Sequence, residues 1–226
     1  MTILGKNIKI TSFILFFLSL SLTSCFDIIQ DVTVHDNGSG NFALTVNLNK
    51  SKSQINRIIS QDSIRGFHIP STKEIDNKLA SLKTELGKLK GISNVKIAKN
   101  FEEYIFKLNL DFANINDLNE AQKELSRLDP NIGQPISYTF THHNLNCTYS
   151  NDLLKKADNE LLKYKLGELR SADFITIFRF DKQVKSCNGT TCKISKNGKT
   201  TFNKISAASF IENATNQSLT VTFKKQ

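Results

Sequence analysis

The chain has 226 residues, of which 39% are hydrophobic, and it carries a formal net charge of +9. This length is sufficient for one sizeable hydrophobic core or for two small ones. A basic balance can favour binding to nucleic acid or to anionic surfaces. The lysines are scattered apart from short runs such as Lys155-Lys156 and Lys224-Lys225. This pattern indicates mainly a solvated surface, with a weak attraction to anionic lipid headgroups.

The N-terminus has the three zones of a secretory signal. Lys6 and Lys9 supply positive charge, an uncharged stretch from Ile10 to Leu22 follows, and small residues precede Cys25. The uncharged stretch is shorter than the roughly 20 residues that a membrane-spanning helix needs. The sequence therefore predicts that residues 1–24 are a cleaved signal peptide, whose removal lowers the net charge from +9 to +7 because two lysines leave.

The end of this segment, Leu22-Thr23-Ser24-Cys25, resembles the lipobox of bacterial lipoproteins. The resemblance implies signal cleavage between Ser24 and Cys25, a diacylglycerol on Cys25 and a further acyl chain on its new amine. An ordinary cleaved signal with a chance cysteine is the alternative. One acyl chain holds a protein only marginally, whereas two or three hold it stably. We therefore expect a protein of the cell envelope, anchored to a bacterial membrane by lipid on Cys25 and without a nucleic-acid partner.

The mature part begins with a predicted β-hairpin. Ile28, Val32 and Val34 belong to its first strand, Asn37-Gly38-Ser39-Gly40 forms the turn, and a second strand follows. An Asn-Gly turn between two such strands is a strong short-range signal for a hairpin. The second strand alternates apolar and polar residues, with Phe42, Leu44, Val46 and Leu48 on one face.

Four predicted helices are interleaved with further strands. A short helix is expected over 51–60, and a longer one begins at the capping box Ser71-Thr72-Lys73-Glu74 and stops at Gly91. Its apolar stripe is Ile75, Leu79, Leu82, Leu86 and Leu89, which favours packing on a sheet over a coiled coil. A helix over 116–128 and another over 152–169 complete the set.

Alternation of apolar and polar residues predicts half-buried antiparallel strands before and after the helix over 116–128. The clearest case has Tyr104, Phe106, Leu108, Leu110 and Phe112 on one face. Further strands are expected over 92–99, 136–142, 174–180, 184–187, 200–205 and 219–223. Strand pairs separated by helices predict an α+β fold, with helices packed on a mostly antiparallel sheet. We expect one envelope domain over 25–226, with a subdivision near 145–150 as the alternative.

Three cysteines remain if Cys25 carries lipid. Cys187 and Cys192 are separated by four residues that include a turn-forming Asn-Gly, and an oxidising compartment permits disulfides. We predict a Cys187–Cys192 disulfide across a hairpin end, with Cys147 either buried and free or paired with one of the two. A zinc site with Cys147 or a histidine is the alternative, although this cysteine spacing is not the usual one for zinc ligands.

No motif indicates an enzyme. The sequence has no glycine-rich phosphate loop, no His-Glu-x-x-His motif and no Gly-x-Ser-x-Gly motif. His142 and His143 are adjacent, so on a strand they face opposite sides and do not readily share a metal. Glu102 and Glu103 are interpreted as solvated charges at a turn, because no cleft partner for acid–base chemistry is evident. We expect no catalytic residue, no metal and no cofactor.

The hairpin and the later turns support a looser resemblance. The lipobox, Asn37-Gly38-Ser39-Gly40, Phe180-Asp181-x-x-Val184-Lys185 and Lys196-Asn197-Gly198-Lys199 together resemble uncharacterised bacterial envelope lipoproteins. The mature part is also distantly similar to LppM-type lipoproteins, and this resemblance implies an α/β domain linked to lipid binding. We therefore predict a non-enzymatic domain that binds a partner protein or an amphiphile. An envelope hydrolase with an unrecognised site, or a purely structural component, are the alternatives.

Overall fold

The computed structural model describes residues 26–60, 63–64, 67–127, 136–149, 172–189, 191–206 and 217–225. Three helices are described: α1 (Lys52–Ile59, preceded by a 3-10 turn at Asn49–Ser51), α2 (Thr72–Lys88) and α3 (Ile115–Ser126). The strands are β1 (Phe26–Val34), β2 (Gly40–Asn47), β3 (Ser63–Ile64), β4 (Phe67–His68), β5 (Ile92–Asn100), β6 (Ile105–Phe112), β7 (Ile136–Phe140), β8 (Asn144–Tyr149), β9 (Ala172–Phe180), β10 (Val184–Cys187), β11 (Lys193–Ile194), β12 (Thr200–Ser206) and β13 (Gln217–Phe223). The α+β prediction is confirmed.

The strands form two main sheets. The large sheet has the order β11-β12-β9-β1-β2-β6-β5, and the small sheet has the order β10-β13-β8-β7, while β3 and β4 pair separately. Every neighbouring pair is antiparallel except β1 and β9, which run parallel with Phe26 opposite Ala172 and Val34 opposite Phe180. The N-terminal strand therefore lies at the centre of the large sheet.

Local sequence signals explain the first hairpin and the helix ends. Gly38 has φ +82° in the β1–β2 turn, a backbone conformation that glycine adopts at little cost. Ser71 and Glu74 form the predicted capping box at the start of α2. A second capping box, between Asn114 and Asp117, starts α3. These side chains satisfy backbone amides that a helix end would otherwise leave unpaired.

The interior is shared by the two sheets and two helices. α2 packs against β5 and α3, and α3 packs against β7, so the prediction that α2 packs on a sheet is confirmed. One buried cluster joins both sides of residues 145–150; its members include Val32, Phe42, Leu86, Leu110, Leu118, Tyr138, Leu145, Phe178 and Val221. A second, smaller cluster contains Phe26 and Ala172.

Several predictions differ from the structure or fall outside it. The strand expected over 136–142 ends at Phe140, because Thr141 and Asn144 form a side-chain-stabilised turn that holds His142 and His143. The signal peptide, Cys25 and the helix expected over 152–169 lie outside the described residues. Among the helices that the structure does describe, none combines the length and the apolar character needed to cross a membrane.

Candidate functional site

A row of polar side chains crosses the inner face of the large sheet. Strand alternation places Gln30 on the same face as Val32 and Val34, whose side chains are buried. Gln30 lies opposite Thr176, and Thr176 lies opposite Asn203. All three are almost fully buried, with 4%, 4% and 2% of their surface exposed. Buried polar groups are costly unless they form hydrogen bonds, so their partners decide whether the row is stable.

Gln30 and Thr176 have partners in the facing small sheet, and Asn203 has a partner in the loop between β10 and β11. Gln30 Nε2 donates to the hydroxyl of Tyr138 in β7. The hydroxyls of Tyr149 in β8 and Thr176 lie 2.6 Å apart. Thr191 Oγ1 donates to Asn203 Oδ1 at 2.9 Å. We call these six residues the polar seam, because they join the large sheet to the layer that covers it.

Along β1 and β9, the polar seam lies between two apolar regions of the same sheet face. On one side Val32, Phe42 and Phe178 are fully buried in the main core. On the other side, toward the start of β1, lies a second apolar group that is separate from the main core. We call this group the N-terminal cluster; its residues are Phe26, Ile28, Leu48, Ala172 and Phe174. Ile28, Leu48 and Phe174 are only half-buried.

Burial keeps the two tyrosines of the polar seam and the nearby Cys147 neutral. Desolvation raises the pKa of the Tyr138 and Tyr149 hydroxyls well above their usual range. It also raises the pKa of the Cys147 thiol to about 12, which leaves no thiolate at neutral pH. The tyrosines therefore serve as hydrogen-bonding groups rather than as acids, and Cys147 is a small buried side chain rather than a nucleophile.

Cys187 and Cys192 form a disulfide with their Cα atoms 6.1 Å apart, and Cys147 is free and buried. The hairpin expected around this bridge is wrong, because β10 pairs with β13 in the small sheet and β11 pairs with β12 in the large sheet. The disulfide therefore closes the connection between the two sheets.

The disulfide loop also closes one end of the polar seam. Thr191 binds Asn203, and Lys204 N donates to Thr191 Oγ1 at 3.1 Å. Gly189 passes so close to the interior that a Cβ atom there would lie 2.6 Å from Leu219 Cδ1 and 2.9 Å from Asn203 Oδ1. A larger residue at position 189 would therefore displace the side chain of Leu219 or Asn203.

The other candidate residues do not form a common site. His142 and His143 are exposed in the β7–β8 turn, whereas Cys147 is buried in β8. Glu103 binds Lys52 Nζ at 2.9 Å, which lowers the pKa of its carboxyl group, and Glu102 is exposed in the same turn. Within the described ranges, no group of three His, Cys, Asp or Glu side chains could hold a metal ion.

The sequence patterns did not reveal the polar seam. A signal for it exists: Gln30 occupies an apolar position between Ile28 and Val32, and Thr176 occupies one between Phe174 and Phe178. A polar residue at an inward position predicts a buried hydrogen bond. Its partner comes from a strand distant in sequence, which alternation alone does not identify.

Comparison with solved structures finds similarity to the NMR structure of the folded domain of the LppM protein of Mycobacterium tuberculosis, with a TM-score of 0.47. The two chains are 8% identical over 89% of this chain and 91% of that one. No protein-family model matches the chain, and no curated protein sequence matches it.

Proposed function

We propose that the chain is a non-enzymatic envelope protein, anchored by lipid on Cys25, whose domain binds an amphiphile at the N-terminal cluster. The anchor rests on the lipobox residues Leu22 to Cys25. The binding proposal rests on one observation: an apolar group, three of whose five residues are only half-buried, lies beside a row of inward polar groups. Amphiphile sites are mostly apolar with a few polar groups that fix orientation.

The N-terminal cluster suits an acyl chain better than the main core does. Val32 and Phe42 are fully buried, and such interiors pack without voids large enough for a ligand. Ile28, Leu48 and Phe174 retain exposed apolar surface that an acyl chain would cover. Covering such surface contributes about 25 cal/mol per Å². The polar seam lies at the edge of this surface, so an apolar tail would extend along the sheet only as far as these polar side chains.

A second described feature is less suited to an acyl chain. A shallow cleft of about 200 Å³ lies between α2 and α3. Its lining includes Lys78, Glu85, Glu124 and Arg127, with Leu82 as the apolar contribution. Charged side chains lose hydration when an apolar tail covers them, so this cleft does not favour an amphiphile.

Native mass spectrometry of the mature protein, extracted from the bacterial envelope in mild detergent, tests the proposal. We expect a bound amphiphile in addition to the lipid on Cys25. The Ile28→Asn variant should carry no bound amphiphile, because the change places a polar side chain in the N-terminal cluster. Ile29→Asn is the matched control, because Ile29 is also half-buried but faces the opposite side of the same strand. Wild-type protein that carries the Cys25 lipid alone contradicts the binding proposal.

A partner protein is the second candidate, and the outer face of the large sheet favours it. Phe202 is 39% exposed and lies opposite Ile177, and Ile29 lies opposite Ile175 on the same face. Phe202 is exposed and the three isoleucines are half-buried, and a patch of such apolar surface is typical of protein interfaces. Cross-linking in intact cells tests this candidate: Phe202→Ser should abolish a specific cross-linked partner, and Ile28→Asn should leave it unchanged.

A further inference from the structure

The folded domain begins immediately after the residue that is expected to carry lipid. β1 starts at Phe26, one peptide bond beyond Cys25. Consecutive Cα atoms are about 3.8 Å apart, so no linker separates the anchor from the large sheet. If the lipid on Cys25 is in the bilayer, the end of the sheet where β1 starts lies at the membrane surface.

The 3-10 turn and α1 lie at this same end of the sheet. They follow β2, whose last residue, Asn47, lies opposite Asp27 in β1. Lys50 Nζ lies 3.4 Å from Asp27 Oδ2, two residues from Cys25. The hydroxyl of Tyr104 donates to Asn56 Oδ1 and holds α1 against the β5–β6 turn. The helix is therefore fixed close to the anchor position.

The outward side of this segment is polar and basic. Ser51, Ile55 and Ile59 recur every four residues and are buried or half-buried, which defines the inward stripe. Lys50, Ser53 and Arg57 are exposed. Residues 49–60 contain three cationic residues and no acidic one.

At this end of the sheet, the lysine is the more exposed partner in two of three lysine–carboxylate pairs. The Lys50 side chain is 52% exposed and that of its partner Asp27 is 18% exposed. The Lys204 side chain is 50% exposed and that of its partner Asp173 is 10% exposed. In the third pair the two side chains are equally exposed, Lys52 at 42% and Glu103 at 43%. Positive charge therefore predominates among the exposed side chains here, because Lys50, Lys204 and Arg57 outnumber the exposed Glu102 of the β5–β6 turn.

We infer that the segment Asn49–Ile59 binds the anionic lipid headgroups of the membrane that holds Cys25, as a second attachment that fixes the orientation of the domain. This inference rests on the lipid anchor of the proposed function. A lipid chain combined with a basic segment is a recurring way to secure a protein on an anionic membrane. Each cation close to such a surface strengthens binding about fivefold. The bound orientation also places the N-terminal cluster next to the bilayer, from which an amphiphile would enter.

Site-directed photocross-linking of the mature lipoprotein tests the inference. Cys147 is buried and Cys187 is bonded to Cys192, so an introduced cysteine is the reactive thiol once Cys25 carries lipid. A photoactivatable group is attached at Ser53→Cys or, as a control at the opposite end of the large sheet, at Lys196→Cys. The proteins are reconstituted in vesicles of phosphatidylethanolamine and phosphatidylglycerol, and cross-linking to lipid is measured.

We expect the lipid cross-linking yield from position 53 to exceed that from position 196 by about fivefold or more. Combined Lys50→Gln, Lys52→Gln and Arg57→Gln should bring it down toward the yield at position 196, as should vesicles of phosphatidylcholine alone. A matched triple change to Gln at Lys185, Lys196 and Lys199 should leave the yield from position 53 unaltered.

The mass of the N-terminal peptide separates the two ways in which this test can fail. Lipid on Cys25 together with equal yields at positions 53 and 196, or a yield that the charge changes do not alter, overturns the inference and leaves the proposed anchor intact. Protein without lipid on Cys25 overturns the anchor and the inference together.

Discussion

Replacing Tyr138 by Phe removes one hydroxyl from the centre of the polar seam. The Tyr138 side chain is 1% exposed, and its ring contacts Phe178 edge to face with centroids 6.2 Å apart. Phe keeps that ring contact, so the change isolates the hydrogen bond with Gln30. Gln30 is 4% exposed and loses this partner where water has little access.

A buried donor left without a partner costs about 1–3 kcal/mol, whereas replacing both partners by apolar groups of similar shape costs much less. We therefore expect Tyr138→Phe and Gln30→Met each to lower the free energy of unfolding by about 1–3 kcal/mol. The double variant should be about as destabilised as one single variant, or less. The loss in the double variant should thus be smaller than the sum of the two single losses by about 1 kcal/mol or more. This difference is large enough to measure against a typical stability of about 5–15 kcal/mol.

Urea denaturation followed by far-UV circular dichroism measures these differences, provided that the slope m is the same for all variants. Tyr104→Phe is a suitable control, because the Asn56 partner of its hydroxyl is exposed and water can replace the lost bond. If the losses in free energy of unfolding of the two single variants simply add in the double variant, the hydrogen bond between Gln30 and Tyr138 does not stabilise the seam.

Three further predictions follow from the cysteines and from the cap of α2. Cys147 should resist alkylation at neutral pH in the native protein and react on unfolding, since burial raises its pKa to about 12; rapid native modification contradicts its placement. Combined Cys187→Ser and Cys192→Ser should lower the free energy of unfolding by less than about 3 kcal/mol, because the closed loop is short. Non-reducing peptide mapping of the exported protein should show the Cys187–Cys192 bridge, and free thiols at both positions would refute the disulfide. Hydrogen bonds from the Ser71 amide and hydroxyl, then from His68, lower the pKa of Glu74 from 4.5 to about 2. The stabilising effect of the Glu74 carboxylate is therefore complete above pH 4.5 and is lost as the pH falls toward 2. The difference in stability between wild type and Glu74→Gln should shrink over that interval, and a difference independent of pH would contradict this assignment.

The elements that the sequence predicted are those that local interactions determine. The β1–β2 hairpin depends on the Asn37-Gly38 turn, and α2 depends on the reciprocal hydrogen bonds of Ser71 and Glu74. Both signals involve residues only a few positions apart. Their physical basis, a positive φ for glycine and the unpaired amides of a helix start, does not depend on the rest of the chain.

The central features of the site depend on contacts between distant residues. Gln30 and Tyr138 are 108 positions apart, and the parallel pairing of β1 with β9 joins two strands that are distant in sequence. Periodicity identifies an inward face but not the strand opposite it. The same limit explains the disulfide: the spacing of Cys187 and Cys192 predicted the bond, whereas the two sheets that it connects are set by the pairing of β10 with β13 and of β11 with β12.

The placement of one end of the domain at the membrane depends most on the lipid anchor, because no linker separates Cys25 from β1. Metabolic labelling with a radioactive fatty acid in the native bacterium, comparing wild type with Cys25→Ala, tests it directly. We expect label on the wild-type protein, which lacks residues 1–24, and an unlabelled precursor for Cys25→Ala that retains them. A wild-type protein without label would contradict the account.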